Sequence, residues 1–455
     1  MAKRARVSLC GAGLVLLLLS SAARDLRADP PPLSPSQWPP GRTIAAGVAR
    51  PATGRLPFCS LTLPVCVHRA PGPDEAPLAL AYLASAEQAL TALRRVGLPL
   101  PRPDGRRGGS PGLDLYLWRA ISASAASHYR IGIEPAESFP EDRSSVFALL
   151  SPSLPPGCAR ETAVHRSVAL SMLAAVDGGE TGGTLASAAS FLAWETTGCA
   201  PLEAIDDAQQ RPELPMIPAT EPDDPRASPL LPYYLDAGFG AGAPGALFAA
   251  VFRASGQRTP ALALRYTNVD LFRTMARLAK ASGKTIADVL VDAAIARAFH
   301  GDREDGLHVP ASAALGTFGR PRFDGVFAYE ALPRRISFTP VYPTGITYSY
   351  VDLAGAPKGA GVIVSMAWEQ PVTFRWAVVR VGRDGQELSR VDLTRERGVF
   401  DVQRTILQID EAAALLVVGV SVGEVNPADP FKADEAPYEP HGGTVYVLRQ
   451  DQVPP

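Results

Sequence analysis

The hydrophobic periodicity of this chain changes near residue 330, and that change limits the folds it can adopt. Between residues 160 and 300, apolar residues recur at steps of three and four, the spacing of amphipathic helices. Beyond residue 330, short β-rich runs such as GITYSYVDL and FRWAVVRVG are separated by Gly, Pro and Asp turns. At 455 residues the chain is long enough for two or three domains. We therefore predict an α+β fold whose helices and strands lie mainly in different parts of the chain.

The two parts divide into individual helices and strands. The predicted helices cover residues 76–97, 160–176, 184–197, 228–254, 268–281 and 285–299. Thr285 and Asp288 have the spacing of a capping box at the start of the last helix. Alternating apolar residues predict strands at 113–118 and 144–151. The runs between 335 and 450 have the spacing of an immunoglobulin- or fibronectin-like β-sandwich, and we place the boundary between 325 and 340.

The first 54 residues have the composition of a targeting and linking segment. Basic residues at 3–6, an apolar run at 11–20 and small residues before position 24 are typical of a secretory signal peptide, predicted over residues 1–23. The Pro-rich residues 24–54 are predicted to form an extended lead-in. No later segment is apolar enough to predict a transmembrane helix. We expect a secreted protein, periplasmic or extracellular, and the net charge of −2 argues against a nucleic-acid partner.

Four cysteines remain after the predicted cleavage: Cys59, Cys66, Cys158 and Cys199. An even number in an oxidising compartment predicts two disulfides, for which three connectivities exist. A metal site is the weaker interpretation, because neither neighbouring pair has C-x-x-C spacing. A bridge between Cys158 and Cys199 is favoured, because a short Gly-rich link between the two intervening helices predicts an antiparallel hairpin that brings its ends together.

The candidate site lies in this hairpin. His165 lies in ETAVHRSVALSML of the first helix, and pairing positions about the link puts Glu195 of the second within about one helical turn. One interpretation is an ordinary helix histidine that hydrogen-bonds across the hairpin to Glu195 or to a threonine hydroxyl. The other is the remnant of H-E-x-x-H, in which histidines at i and i+4 bind zinc and the glutamate activates water. Here Arg166 follows the histidine and Ala169 stands at i+4.

Several segments resemble, in the same order, parts of a family of secreted bacterial metallopeptidases of the gluzincin, HExxH type. The segments are CVHRAPGPDEAP, RPDGRRGGSPGLDLYLW, ETAVHRSVALSMLAAVD, ASFLAWETTG, SPLLPYYLDAGFG and NVDLFRTMARLAKASGKTIADVL, followed by the β-rich tail. In that family a DGxxGG loop precedes a strand similar to LDVYL, and a glutamate of the helix after HExxH completes the zinc ligands. The resemblance covers about residues 55–450 and implies a zincin-like, mainly helical domain with a small sheet at 55–325.

The positions that differ from the family pattern are those that would bind zinc and activate water. The resemblance implies His165 as the first zinc ligand and Glu195, within a residue or so, as the third. Arg166 replaces the general-base glutamate and Ala169 replaces the second ligand. Two ligands are one fewer than a zinc site needs, and a guanidinium cannot accept a proton from water. We therefore treat the metal site as vestigial, assign no catalytic residue and expect no cofactor, with zinc only if the site is functional.

These residues predict an exported, catalytically inactive metallopeptidase homologue that binds a protein, peptide or envelope partner. Two alternatives stay open: an active zinc peptidase with a rearranged metal site, and a structural envelope protein without a ligand cleft. Two other catalytic patterns are weaker. Ser421 in GVSVG matches the nucleophile elbow G-x-S-x-G, but the apolar pattern predicts strand throughout. Cys158 near His165 is expected in a disulfide rather than as a nucleophile.

Overall fold

The fold is described from a computed structural model of the chain. The described residues are 50–51, 57–69, 75–118, 129–135, 143–178, 180–217, 220–221, 223–240, 243–256, 271–309, 312–370, 372–394, 399–422 and 439–452. The predicted signal peptide, most of the Pro-rich lead-in and the first residues of the helix predicted at 268 lie outside these ranges.

A five-stranded mixed sheet opens the described chain. Its elements are β1 (Phe58–Cys59), β2 (Val65–His68), α1 (Glu75–Arg95), β3 (Leu113–Leu117), β4 (Tyr129–Pro135) and β5 (Ser144–Leu150). The strand order is β1-β2-β3-β5-β4, in which β2, β3 and β5 are parallel and the two edge strands are antiparallel. Helix α1 connects the parallel strands β2 and β3, as a crossover between parallel strands requires.

Seven further α-helices follow this sheet in the described ranges. They are α2 (Cys158–Asp177), α3 (Gly182–Thr197), α4 (Leu202–Gln210), α5 (Leu230–Phe239), α6 (Ala246–Ser255), α7 (Leu271–Ala281) and α8 (Ile286–Ala298). The single helix predicted over 228–254 is wrong, because the chain breaks between α5 and α6, where Gly245 has a φ of 86°. The capping box at Thr285 is confirmed: Thr285 Oγ1 accepts from Asp288 N at 3.2 Å, and the Asp288 carboxylate accepts from Thr285 N at 2.8 Å.

Two sheets form the C-terminal part. Their strands are β6 (Gly325–Ala328), β7 (Arg334–Val341), β8 (Ile346–Asp352), β9 (Val362–Trp368), β10 (Phe374–Gly382), β11 (Glu387–Asp392), β12 (Asp401–Ile406), β13 (Ala412–Ser421) and β14 (His441–Arg449). The inner sheet has the order β11-β10-β13-β8-β6, and the outer sheet has the order β12-β9-β14-β7. Pairing is antiparallel except between β6 and β8, which are parallel.

The inner sheet is covered on both faces. Trp376 and Val378 of β10 pack in a core shared with the outer sheet. Ala377 and Val379 of the same strand belong to the core that contains the helices, and Tyr348 of β8 donates from its hydroxyl to the Ala294 carbonyl of α8 at 2.6 Å. This double burial explains why ALLVVGVS is apolar at successive positions, since neither face of β13 meets water.

The α+β prediction is confirmed, and a two-sheet sandwich forms the C-terminal part. The zincin-like character of the first part and the immunoglobulin- or fibronectin-like type of the second stay predictions, as do the domain boundaries at 55–325 and 335–450. Within the described ranges, no helix combines the length and the apolar character that crossing a bilayer requires.

Candidate functional site

Helices α2 and α3 form the predicted hairpin, and a disulfide joins Cys158 at the start of α2 to Cys199 just beyond the end of α3. Their Cα atoms are 5.6 Å apart and 41 residues separate them in sequence. A second disulfide joins Cys59 to Cys66 across β1 and β2. Both predicted bridges are present, so Cys158 is not a free thiol nucleophile.

His165 is only 4% exposed and hydrogen-bonds to Thr196 on α3, with 2.8 Å between His165 Nδ1 and Thr196 Oγ1. The same hydroxyl donates to the Leu192 carbonyl at 2.8 Å. Because the hydroxyl has one proton, Nδ1 must donate to it, which assigns the proton to Nδ1 and leaves Nε2 as the acceptor nitrogen. Of the two cross-hairpin partners considered for His165, the structure selects the threonine hydroxyl.

Different surroundings determine the pKa of His165 and the pKa of Glu195. Burial lowers the pKa of His165 to about 4, with no carboxylate contributing. Burial raises the pKa of Glu195, and the nearby Asp236 carboxylate raises it further. Burial raises the pKa of Tyr233 to about 12, and Glu195 adds to that effect. The Glu195 carboxylate therefore lies in the environment of Asp236 and Tyr233, one residue along α3 from the threonine that contacts His165.

The two positions that would complete H-E-x-x-H are enclosed by protein. Arg166 is 4% exposed and its Nη2 donates to the Asp224 backbone carbonyl, while Ala169 is fully buried in the core. The neighbouring Asp223 accepts from the Ile131 N–H of edge strand β4 at 3.4 Å. The segment around residues 223–224 therefore connects the His165 helix with the edge of the first sheet.

These residues do not fit a zinc ion as they are placed. His165 offers one nitrogen, the pKa of Glu195 responds to Asp236 rather than to His165, and Arg166 is a permanent cation bonded to the Asp224 carbonyl. A zinc site needs three protein ligands with the fourth position open. In the part of the chain that the structure describes, no group of three His, Cys, Asp or Glu side chains is arranged to hold a metal.

The loop DGRRGG and strand β3 build a buried polar network that was not predicted from the spacing. Asp114 accepts from Ser110 Oγ at 2.8 Å, and its carboxylate lies 2.8 Å from His68 Nε2 and 2.6 Å from Arg50 Nη1. A Cβ added to Gly108 would lie 1.8 Å from Asp114 Oδ2, so the loop has no room there for a side chain. Ser110 and His68 share the Oδ1 atom of Asp114, so the trio is a structural network rather than a nucleophile relay.

A second polar network joins α8 to the sandwich. His308 Nδ1 lies 2.8 Å from Asp305 Oδ2, and its Nε2 lies 2.7 Å from Glu387 Oε2 on β11. Arg390, also on β11, contacts Glu387 at 2.7 Å and Asp292 of α8 at 2.7 Å. Burial opposes ionisation of Glu387, but its hydrogen bonds with His308 and Arg390 outweigh that cost and lower its pKa to about 2. The residues of this network come from separate segments of the chain, so their spacing in the sequence does not reveal the network.

Ser421 lies at the end of β13 and is fully buried, and its N–H donates to the Gly345 carbonyl at 3.1 Å. A nucleophile elbow presents its serine at an exposed turn between strand and helix. The burial of Ser421 within the inner sheet does not match that geometry.

Comparisons with known proteins give no family for this chain. No protein-family model matches it, and no curated protein does. Among solved structures, the pre-peptidase C-terminal domain of a collagenase from Bacillus anthracis matches with 6% identity over 29% of this chain and 99% of that chain, at a TM-score of 0.19. The infectious bursal disease virus VP2 subviral particle matches with 9% identity over 26% of this chain and 30% of that one, at 0.16. At these TM-scores the likenesses carry no argument about fold or function.

Proposed function

We propose that this protein is an exported, catalytically inactive homologue of zinc metallopeptidases that acts by binding a protein or peptide partner. The observation that carries the proposal is the environment of Arg166. Its guanidinium stands where the general base would be, is almost wholly buried, and donates to the Asp224 carbonyl. A group that is permanently protonated and fixed to the backbone cannot activate water.

The hydrogen bonding of His165 supports descent from a zinc site. A zinc-binding histidine usually donates from its second nitrogen to a neighbouring acceptor, which fixes the tautomer and the ring. His165 donates from Nδ1 to Thr196, and this leaves Nε2 with the lone pair that a metal would use. This tautomer is the one that a histidine binding a metal through Nε2 would need, and that supports the proposal.

The loop and strand of the metallopeptidase resemblance also form one physical unit. Gly108 of the DGxxGG pattern lies against Asp114 of the strand LDLYL so closely that any larger residue would collide with the carboxylate. A sequence that keeps the loop glycine and the strand aspartate together therefore keeps a buried network, which supports the resemblance over this segment.

The first experiment tests catalysis and metal content directly. The mature protein, purified without chelators and then dialysed against micromolar zinc, is expected to hold far less than one zinc per chain and to leave casein uncleaved. A stoichiometric, tightly held zinc with proteolysis that a chelator abolishes would overturn the proposal in favour of an active peptidase with a rearranged site.

The second experiment tests the ancestry. The double variant Arg166→Glu/Ala169→His restores H-E-x-x-H and is expected to bind zinc that the wild type does not bind, with a thermal stability that rises with zinc. The matched control adds His165→Ala to the same two substitutions and is expected to lose the zinc response. A folded double variant that binds no more zinc than this control would contradict the ancestry.

The third experiment tests partner binding. Fluorescently labelled, unstructured casein fragments are expected to bind the wild-type protein saturably and to be recovered intact. Absence of binding across fragments of varied composition would favour the structural envelope alternative instead.

A further inference from the structure

A cavity of about 220 Å³ lies between α4, α5, α8 and the segment that joins α4 to α5. Part of its wall is apolar and includes Met216, Leu230, Leu231, Tyr234 and Ala293. Small-molecule pockets that take drug-sized ligands have volumes of roughly 300–1,000 Å³. This cavity is therefore of a size for a smaller molecule with an apolar portion.

Arg297 contributes a buried positive charge to the cavity wall. It is 5% exposed, and its Nε donates to Gln209 Oε1 at 3.1 Å while Nη2 donates to the Ala208 carbonyl at 2.9 Å. Both acceptors are uncharged. Burial lowers the pKa of Arg297, as expected for a cation removed from water.

No carboxylate in the described ranges forms an ion pair with Arg297. The carboxylate with a longer-range influence on it is Glu213, which is itself 2.8 Å from the Arg322 guanidinium. An isolated buried charge is strongly unfavourable unless an opposite charge or a full set of hydrogen bonds compensates it. The cavity beside Arg297 is the place where such a compensating group can enter.

The remaining charges on the wall cancel in pairs. Arg211 is paired with Asp207, four residues earlier on α4, and Arg226 is paired with Asp224 at 3.3 Å. Arg297 therefore leaves the charged lining with a net charge of +1. A single negative charge would balance it, whereas a phosphate dianion would leave the cavity negative.

We infer that this cavity is a binding site for a small monocarboxylate with a short apolar tail. The guanidinium of Arg297 receives the carboxylate, a pairing that its planar donors favour, and the tail packs on Met216, Leu230 and Leu231. The site is separate from His165, and the inference does not depend on the proposed function.

The test compares three probes on the full-length mature protein: hexanoate, the uncharged hexanamide and inorganic phosphate. Hexanoate is expected to raise the melting temperature saturably and to give a measurable Kd by calorimetry, because a ligand of the native state stabilises it. Hexanamide and phosphate at the same concentrations are expected to have little effect. Equal effects of hexanoate and hexanamide, an effect of phosphate alone, or no effect of any probe would overturn the inference.

Three variants locate the site: Arg297→Gln, its control Arg226→Gln and, as a substitute for the first, Ala293→Leu. Arg297→Gln is expected to weaken hexanoate binding by roughly tenfold to a hundredfold, the range for losing a charged hydrogen-bonded partner. Arg226→Gln, at the same cavity but with its side chain 68% exposed and paired with Asp224, is expected to weaken binding less than about threefold. If Arg297→Gln does not fold, Ala293→Leu reduces the cavity with Arg297 in place and is expected to abolish hexanoate binding. Unchanged hexanoate binding in whichever of Arg297→Gln and Ala293→Leu folds would contradict this location of the site.

Discussion

His165 and His308 are both largely buried, one between two helices and the other between α8 and the β-sandwich. His165 has one uncharged partner, Thr196, in a hairpin closed by apolar packing and a disulfide. His308 lies between two carboxylates and beside Arg390 in a network that joins two parts of the chain. The direct hydrogen-bond partner of His165 is therefore uncharged, although Arg166 follows it in the helix, whereas the hydrogen-bond partners of His308 are charged side chains. The two regions should therefore respond differently to reduction, pH and salt.

The largest expected effect comes from the hairpin disulfide. Replacing Cys158 and Cys199 together with serine should lower the free energy of unfolding by about 4 kcal/mol, because the bridge closes a long loop in the unfolded chain. The Cys59–Cys66 bridge closes a loop with a sequence separation of only 7 residues. The matched double variant that removes it should therefore lower the free energy of unfolding by about 2 kcal/mol. Denaturant unfolding without reductant measures both losses. A larger loss at the shorter bridge would show that hairpin closure does not dominate.

The next effect distinguishes the two regions by pH. His165 titrates near 6.5 when unfolded and at about 4 when folded, so the unfolded chain binds more protons between these values. Its contribution to stability is complete above pH 6.5 and falls as the pH is lowered toward 4, by roughly 3 kcal/mol in total. Unfolding measured from pH 7 to pH 4 should be less pH-dependent in His165→Gln than in the wild type. If the free energies of unfolding of the two proteins changed with pH in parallel, the assignment of His165 as a neutral, buried histidine would be wrong.

A smaller effect is expected at the junction. Arg390→Met should lower the free energy of unfolding by about 2 kcal/mol, less than for a wholly buried ion pair, because the side chain is 31% exposed. Arg380→Met is the control on the inner sheet, since Arg380 donates to Ser389 Oγ and the Leu407 carbonyl rather than to these carboxylates. Raising the salt concentration should reduce the difference between Arg390→Met and the wild type. An undiminished difference at 1 M salt would mean that packing rather than charge is lost.

The smallest expected effect is at the partner of His165. Thr196→Val removes the hydroxyl that accepts from Nδ1 and should cost about 1 kcal/mol, the usual effect of an unsatisfied buried donor. Thr196→Ser keeps the hydroxyl and should cost less. Nitrogen chemical shifts of His165 should report the Nδ1–H tautomer in the wild type and the serine variant. A predominant Nε2–H form in the wild type would refute the hydrogen-bond assignment.

The features of the hairpin that were predictable from the sequence are local. The helical periodicity of 160–176 and 184–197, the Gly-rich link and the positions of Cys158 and Cys199 together specify an antiparallel pair. That pairing left Glu195 and a threonine hydroxyl as partners for His165, and only the structure decides for Thr196. The contact between Arg166 and Asp224 was not predictable, because the acceptor is a backbone carbonyl 58 residues away and any residue supplies one.

Other parts of the fold needed information that periodicity does not contain. Strands β1 and β2 are too short for alternation to be recognised, and α4 spans only nine residues. The break between α5 and α6 falls at GAGAPG, where Pro244 and several glycines oppose a helix and Gly245 is left-handed, although the apolar periodicity continues across it. The continuous apolar run of β13 predicted a strand, but its second covering layer is a helix more than a hundred residues earlier in the chain.

The inner sheet limits where this chain can be divided, in evolution or by engineering. Because Tyr348, Ala377 and Val418 pack with the helices while Trp376 and Leu415 pack with the outer sheet, one layer belongs to two hydrophobic cores. A fragment beginning near residue 335 would carry that layer with one side uncovered and would lack the parallel strand β6. We therefore expect that the C-terminal part cannot be transferred alone by recombination or fusion at that point. The transferred fragment would expose an apolar sheet face, and the helices left behind would lose the sheet against which they pack.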